Sequence, residues 1–177
     1  NVLVEGCTFA HNYSDSNSNV DGIAIEGVRE GADNTYITDQ NIKVRDCVAW
    51  GHGDAGFDIK PVATIENCVA YDNAYVGFKL WGVGTKLINC LAYGNGDAGA
   101  SMANNNQSAD RCTFAANAEY AVRPQAYTGQ TISRSIIVGP MHNANSDTQS
   151  VVVTNSAFWV PGATTDTWAI TGKHVSY

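Results

Sequence analysis

The stretch Val44-Arg45-Asp46-Cys47-Val48-Ala49-Trp50 decides the fold, because the chain repeats it as Ile65-Glu66-Asn67-Cys68-Val69-Ala70-Tyr71, Leu87-Ile88-Asn89-Cys90-Leu91-Ala92-Tyr93 and Ala109-Asp110-Arg111-Cys112-Thr113-Phe114-Ala115. The four cysteines are separated by 21, 22 and 22 residues. A fixed period of this size marks a repeat architecture. Serine continues the series in Ser133-Arg134-Ser135-Ile136 and Asn155-Ser156-Ala157-Phe158-Trp159, and Cys7 begins it 40 residues before Cys47, a gap that reads as one coil carrying an insertion. β-branched alternation, Gly/Asn turns and the lack of a helical stretch fit one β-helix rung per repeat better than a helical solenoid or a propeller blade. The expected fold is all-β, a right-handed parallel β-helix of about seven coils of 21–23 residues, forming a single domain over residues 1–177.

Rungs of such a helix stack at about 4.8 Å, so equivalent positions form ladders along the axis. The cysteines read as one ladder, small and apolar inside the tube, in preference to disulfides or metal ligands; an odd count of five excludes complete internal pairing. Five residues further on, Asn12, His52, Asn73, Asn95 and Asn117 form a second ladder, in which stacked amides bond to one another and to turn backbone. Pro140 and Pro161 break the register, so residues 126–177, with Ser135, Ser156, Trp159 and Trp168, read as less regular terminal coils and a cap.

Composition narrows the function. The formal charge of −7 and pI near 4.8 leave no basic stripe for nucleic acid, and no apolar run is long enough to span a membrane. The sequence opens directly on the strand-like Asn1-Val2-Leu3-Val4 without a signal peptide, and reads as an excised or mature segment.

Eleven residues after each cysteine the alternation is clear, in Phe57-Asp58-Ile59-Lys60, Phe78-Lys79-Leu80-Trp81, Ala100-Ser101-Met102-Ala103 and Val122-Arg123-Pro124-Gln125. Period two turns Phe57, Ile59, Phe78, Leu80 and Met102 inward. It turns Asp58, Lys79, Ser101 and Arg123 outward in one column and Lys60, Trp81, Ala103 and Gln125 in the next, with Gly22-Ile23-Ala24-Ile25 as the preceding rung. Charged residues on a solvent face are ordinary. A lysine and an arginine beside a tryptophan nevertheless suit a groove for an acidic sugar chain, the indole stacking on a pyranose ring. Asp21 and Asp54 lie near Asp58 across the turn, and such turn-borne carboxylates are the donors that Ca²⁺ takes. Asp97 and Glu119 share the Asp54 column and offer a second, weaker cation site, although Asp97-Ala98-Gly99 is equally a turn.

The succession Asn19-Val20-Asp21-Gly22-Ile23, Gly53-Asp54-Ala55-Gly56-Phe57-Asp58 and Gly77-Phe78-Lys79-Leu80, with the cysteine and asparagine phrases, resembles the pectate lyases of polysaccharide lyase family nine over residues 1–125. The resemblance implies a secreted, extracellular enzyme that cleaves a uronic-acid polymer, pectate or polygalacturonate, by calcium-dependent β-elimination. It implies Asp21, Asp54 and Asp58 as Ca²⁺ ligands and Lys79 as the base. Ala55 stands where the family has a second adjacent aspartate, so one expected ligand is absent, and Trp81-Gly82 stands where the family tends to carry glycines.

A base must be neutral to accept the C5 proton, and a nearby divalent cation and Arg123 are expected to push the Lys79 pKa down. Arg123, two rungs or about 10 Å along the axis, suits a neighbouring sugar's carboxylate. Trp81, Lys60 and Ser101 complete the expected substrate-binding set, and a monomer is expected. A hydrolase on this fold needs paired carboxylates, which the Lys79 rung does not offer. The alternative from another class is a non-catalytic carbohydrate-binding or adhesive β-helix module.

Overall fold

The computed structural model describes residues 1–13, 19–27, 29–30, 35–36, 41–125, 127–141 and 151–160; Pro161, Trp168 and much of the segment from Glu26 to Gln40 lie outside the described residues. The chain is a parallel β-helix with three sheets. The first runs Val2–Glu5, Ile42–Arg45, Ala63–Glu66, Lys86–Ile88, Ser108–Asp110, Thr131–Ser133 and Val152–Thr154. The second runs Thr8–Ala10, Val48–Trp50, Val69–Tyr71, Leu91–Tyr93, Thr113–Ala115, Ile136–Val138 and Ala157–Trp159. The third has five strands, Ile23–Ile25, Phe57–Ile59, Phe78–Leu80, Ala98–Met102 and Tyr120–Pro124. Among the described residues, therefore, five coils are complete and two more contribute to the first and second sheets alone. Beyond the fifth coil the third sheet is reduced to a bridge between Val122 and Met141, directly after Pro140, whose ring cannot donate to a ladder. In the insertion after the first coil, Arg29–Glu30 pairs antiparallel with Thr35–Tyr36.

The corner between the first and second sheets is a single residue with positive φ immediately before the cysteine slot: Gly6, Asp46, Asn67, Asn89, Arg111, Arg134 and Asn155. Glycine, asparagine and aspartate tolerate this left-handed conformation best, which accounts for five of the seven. The slot that follows faces inward. Cys47, Cys68, Cys90 and Cys112 are buried and all five cysteines are free thiols. The group in the slot donates to the carbonyl two residues back, as Cys68 Sγ to Glu66 O at 3.2 Å and Ser135 Oγ to Ser133 O at 2.7 Å. Serine and cysteine are interchangeable there because both are small and both supply that donor.

The asparagine ladder is buried at His52, Asn73 and Asn95, with Asn117 half-buried and Asn12 exposed at its ends. Asn73 Nδ2 donates to Asn95 Oδ1, and Asn95 Nδ2 to Asn117 Oδ1, each at 2.9 Å. His52 occupies its rung with both ring nitrogens engaged by backbone: Nδ1 accepts from the Asn12 amide at 3.1 Å and Nε2 meets Phe9 O at 3.2 Å. Burial lowers the His52 pKa, which keeps the ring neutral. Close packing of this ladder requires glycine beside it; a Cβ at Gly77 would sit 2.6 Å from Gly99 O. The core is filled by Phe57 and Phe78, stacked with ring centroids 4.9 Å apart, together with Ile59, Ile65, Leu80, Leu87, Met102 and Phe114. The inward assignments of the third sheet hold throughout.

Candidate functional site

The third sheet aligns the outward residues as its alternation requires. Lys79 pairs in register with Asp58 on one side and with Ser101 on the other, and Ser101 pairs with Arg123; Ala24 continues the column on the first coil. A neighbouring column, set by the turn that enters each third-sheet strand, runs Asp54, Tyr75, Asp97 and Glu119. It is linked by backbone bonds from Tyr75 N to Asp54 O, Asp97 N to Tyr75 O and Glu119 N to Asp97 O. The two columns meet in ion pairs. Lys79 Nζ donates to Asp54 Oδ2 at 3.0 Å, and Arg123 Nη1 lies 2.6 Å from Asp97 Oδ2.

Around the first pair the carboxylates converge. Asp58 is buried: its Oδ2 receives the Lys60 ammonium in a short contact, and its Oδ1 accepts from Trp81 Nε1 at 2.8 Å. Lys60 Nζ also lies 5.4 Å from the centre of the Trp81 ring. Asp21 Oδ1 accepts from the Ala55 amide at 3.0 Å. Burial raises the Asp21 pKa, and the negative charges of Asp58 and Asp54 add to this against the Ala55 bond and Lys79. A groove of about 330 Å³, lined by Asn19, Gly53, Asp54, Ala74, Tyr75 and Lys79, opens beside this cluster.

Lys79 departs from expectation. Burial alone would lower its pKa, but the Asp54 hydrogen bond and the charges of Asp54, Asp58 and Asp21 outweigh it, and the net shift is upward. Arg123 does not act on Lys79 as expected, because its guanidinium is committed to Asp97 and donates to Tyr75 Oη at 2.9 Å. Ser101 stands in the outward column but is covered, with 1% of its surface exposed and Gln125 Nε2 3.5 Å from its hydroxyl. It is not presented to a ligand in this arrangement. Trp81 is half-buried rather than freely exposed.

Tyr75 escaped the sequence reading. Its ring lies between the two pairs, with Lys79 Nζ 5.9 Å and the Arg123 guanidinium carbon 5.0 Å from the ring centre. The signal was its position one rung from Asp54 in the turn column. Asp97 is held differently from Asp54. Neither of its oxygens has an aligned hydrogen-bond partner among the described residues, and burial raises its pKa, with the Glu119 charge adding and Arg123 and the Tyr75 hydroxyl opposing.

The carboxylates do not cage a cation as they stand. Calcium takes six to eight oxygen ligands. Both Asp58 oxygens here face nitrogen donors, one Asp54 oxygen holds Lys79, and Ala55 contributes no ligand. Among the described residues no three His, Cys, Asp or Glu side chains are grouped to hold a metal, and Asp97 with Glu119 is no exception. Also among the described residues, no helix is long and apolar enough to cross a membrane.

These features define a parallel β-helix carrying a charged, aromatic groove on one sheet. No protein-family model, no curated protein and no solved structure matches the chain.

Proposed function

We propose that the outer face of the third sheet binds a uronic-acid polymer and cleaves it by β-elimination, with Lys79 as the base. The observation that carries this reading is the Lys79 amine on the wall of the groove, 3.0 Å from Asp54. In the reaction, neutral Nζ takes the C5 proton, which becomes acidic once the charge of the adjacent carboxylate is neutralised by a neighbouring cationic side chain. The electron pair left at C5 forms the C4–C5 double bond, the C4–O bond breaks, and the departing oxygen takes a proton from solvent. Lys60, kept on Asp58, would offer its remaining positive charge to the uronate carboxylate, the Trp81 ring would support the pyranose, and Arg123 would meet a carboxylate further along the chain once released from Asp97. No step is routed through a metal ion. Galacturonan as substrate, an extracellular setting and a monomeric state come with the resemblance and form part of the proposal.

The test is absorbance near 235 nm on polygalacturonate at alkaline pH, with calcium and with EDTA, for the wild type and Lys79→Ala. Unsaturated product from the wild type and a loss of about 10²–10⁴-fold in Lys79→Ala are expected. Absence of product in both media sinks the lyase reading for this substrate. A rate indifferent to Lys79→Ala removes Lys79 as base. A second reading, a non-catalytic module that binds acidic sugar, is favoured by the carboxylates that hold Lys79 charged. It predicts retention of the wild type on a polygalacturonate affinity gel without product.

A further inference from the structure

We propose that the ammonium groups of Lys60 and Lys79 are built-in counter-ions that take the place of a divalent cation among Asp21, Asp54 and Asp58, so that this site is assembled without metal. The inference concerns the same groove as the proposed function, but it does not depend on lyase chemistry.

Three observations converge. The first is the commitment of donors. Asp58 is 3% exposed, with Lys60 on one oxygen and Trp81 Nε1 on the other; Asp54 is 5% exposed and holds Lys79. For Asp58 to ligate a cation, both contacts would have to be given up and the lysine charge moved elsewhere. The second is charge. Two ammonium groups bring the same positive charge as one divalent ion, and their own side chains are only 15% and 17% exposed. Adding such an ion beside them would place like charges together in a poorly solvated setting. The third is position 55. Ala55 is not a lone gap in a ring of ligands, because it belongs to a buried apolar column with Val76 and Ala98, packed against Tyr120. A carboxylate there would be buried among hydrocarbon.

Lys60 is accordingly a positioning residue. It fixes Asp58, which orients the Trp81 indole through Nε1, so the aromatic platform is set by a lysine where a metal-dependent site would use the ion. Asp54 performs the corresponding task for Lys79.

The experiment is a calcium titration of the intact chain, stripped with EDTA, followed by thermal unfolding and calorimetry without any saccharide. The wild type is expected to show the same midpoint in EDTA and in millimolar calcium, and no saturable heat. Lys60→Met, which keeps the stem and removes the charge, is expected to gain a calcium-dependent rise in midpoint of several degrees, because the vacated carboxylate then has a ligand that binds only the folded state. Lys60→Arg, which keeps the charge, should not gain it. A saturable calcium response of the wild type that is lost in Asp58→Asn overturns the proposal. So does a Lys60→Met chain that folds and remains as indifferent to calcium as the wild type. Should Lys60→Met fail to fold, the wild-type titration alone decides whether the site takes calcium. Because no saccharide is present, failure here is separate from failure of the lyase reading, which is judged by the 235 nm product.

Discussion

Two ion pairs lie on the same face of the third sheet, two coils apart, and are built from the same two columns: Lys79 with Asp54, and Arg123 with Asp97. The fold repeats the geometry, but the surroundings differ. The Lys79 pair borders the groove and has Asp21, Asp58 and Lys60 as neighbours, so several oxygens and two amines compete for one another. The Arg123 pair has a single buried carboxylate whose oxygens lack aligned hydrogen bonds, capped by the face and hydroxyl of Tyr75. A β-helix thus supplies position by repetition, whereas reactivity comes from what each rung adds locally. The groove and a surplus of carboxylates make the first pair exchangeable; the second is about equally buried but stands outside the lining of that groove and, among the described residues, has no competing amine beside it.

The largest effect should separate the two pairs by stability. Arg123→Gln leaves the Asp97 carboxylate, whose side chain is 4% exposed, without its cation, a loss of about 3–5 kcal/mol by urea denaturation. The double change Arg123→Gln with Asp97→Asn should recover much of it, since the buried charge is then gone. Lys79→Ala should cost less stability than Arg123→Gln, because Asp54 borders the groove and Asp97 does not. Equal losses would erase the distinction drawn between the pairs. A smaller effect is expected of Tyr75→Phe, which removes the hydroxyl that accepts from Arg123 at 2.9 Å and keeps the ring. Its cost should be about 0.5–1.5 kcal/mol in the same measurement, with no change in affinity for polygalacturonate. A change in affinity without a loss of stability would mean that the hydroxyl serves the groove that Tyr75 lines rather than the Arg123 pair.

How far this was legible in sequence follows from what each feature depends on. The cysteine and asparagine ladders and the outward column depend only on period, and the register of Phe57, Phe78 and Ala100 agrees with it. The left-handed corner before each cysteine slot stood in every repeated phrase, but Arg111 and Arg134 at that position hid the glycine, asparagine and aspartate signal. Partners were less legible than positions. Lys60 and Asp58 share a face by period two, yet nothing in the spacing says that the ammonium turns back onto its own strand. Similarly, Arg123 sits in the column of Lys79 but reaches sideways to Asp97, so its charge is spent before it can depress Lys79. Ser101 is outward by register and covered by Gln125, because burial at a rung depends on the side chains above and below it.

The pH dependence offers the finest distinction between the pairs, because their shifted groups titrate at opposite ends of the pH scale. The Lys79 pKa is raised above 10.5 in the folded chain, so its contribution to stability is fully present below that value and is lost as pH rises through the folded value. The Asp97 pKa is raised above 3.8, so its folded state binds the proton more tightly. Its contribution is greatest below 3.8 and declines as pH rises through the shifted value. Asp97→Asn, compared with the wild type by urea denaturation across the acid range, should therefore gain relative stability as pH rises from 3.8 toward neutrality. Asp54→Asn should act at the other end of the scale. It removes the hydrogen bond and the largest of the charges that hold Lys79 protonated, so burial is opposed only by Asp58 and Asp21 and the amine pKa falls. If Lys79 is the base, the alkaline rise of the 235 nm rate moves to lower pH in Asp54→Asn, even where the maximal rate falls. An unmoved profile would mean that the ionisation governing the rate belongs to another group, and Lys79 would lose its place as the base.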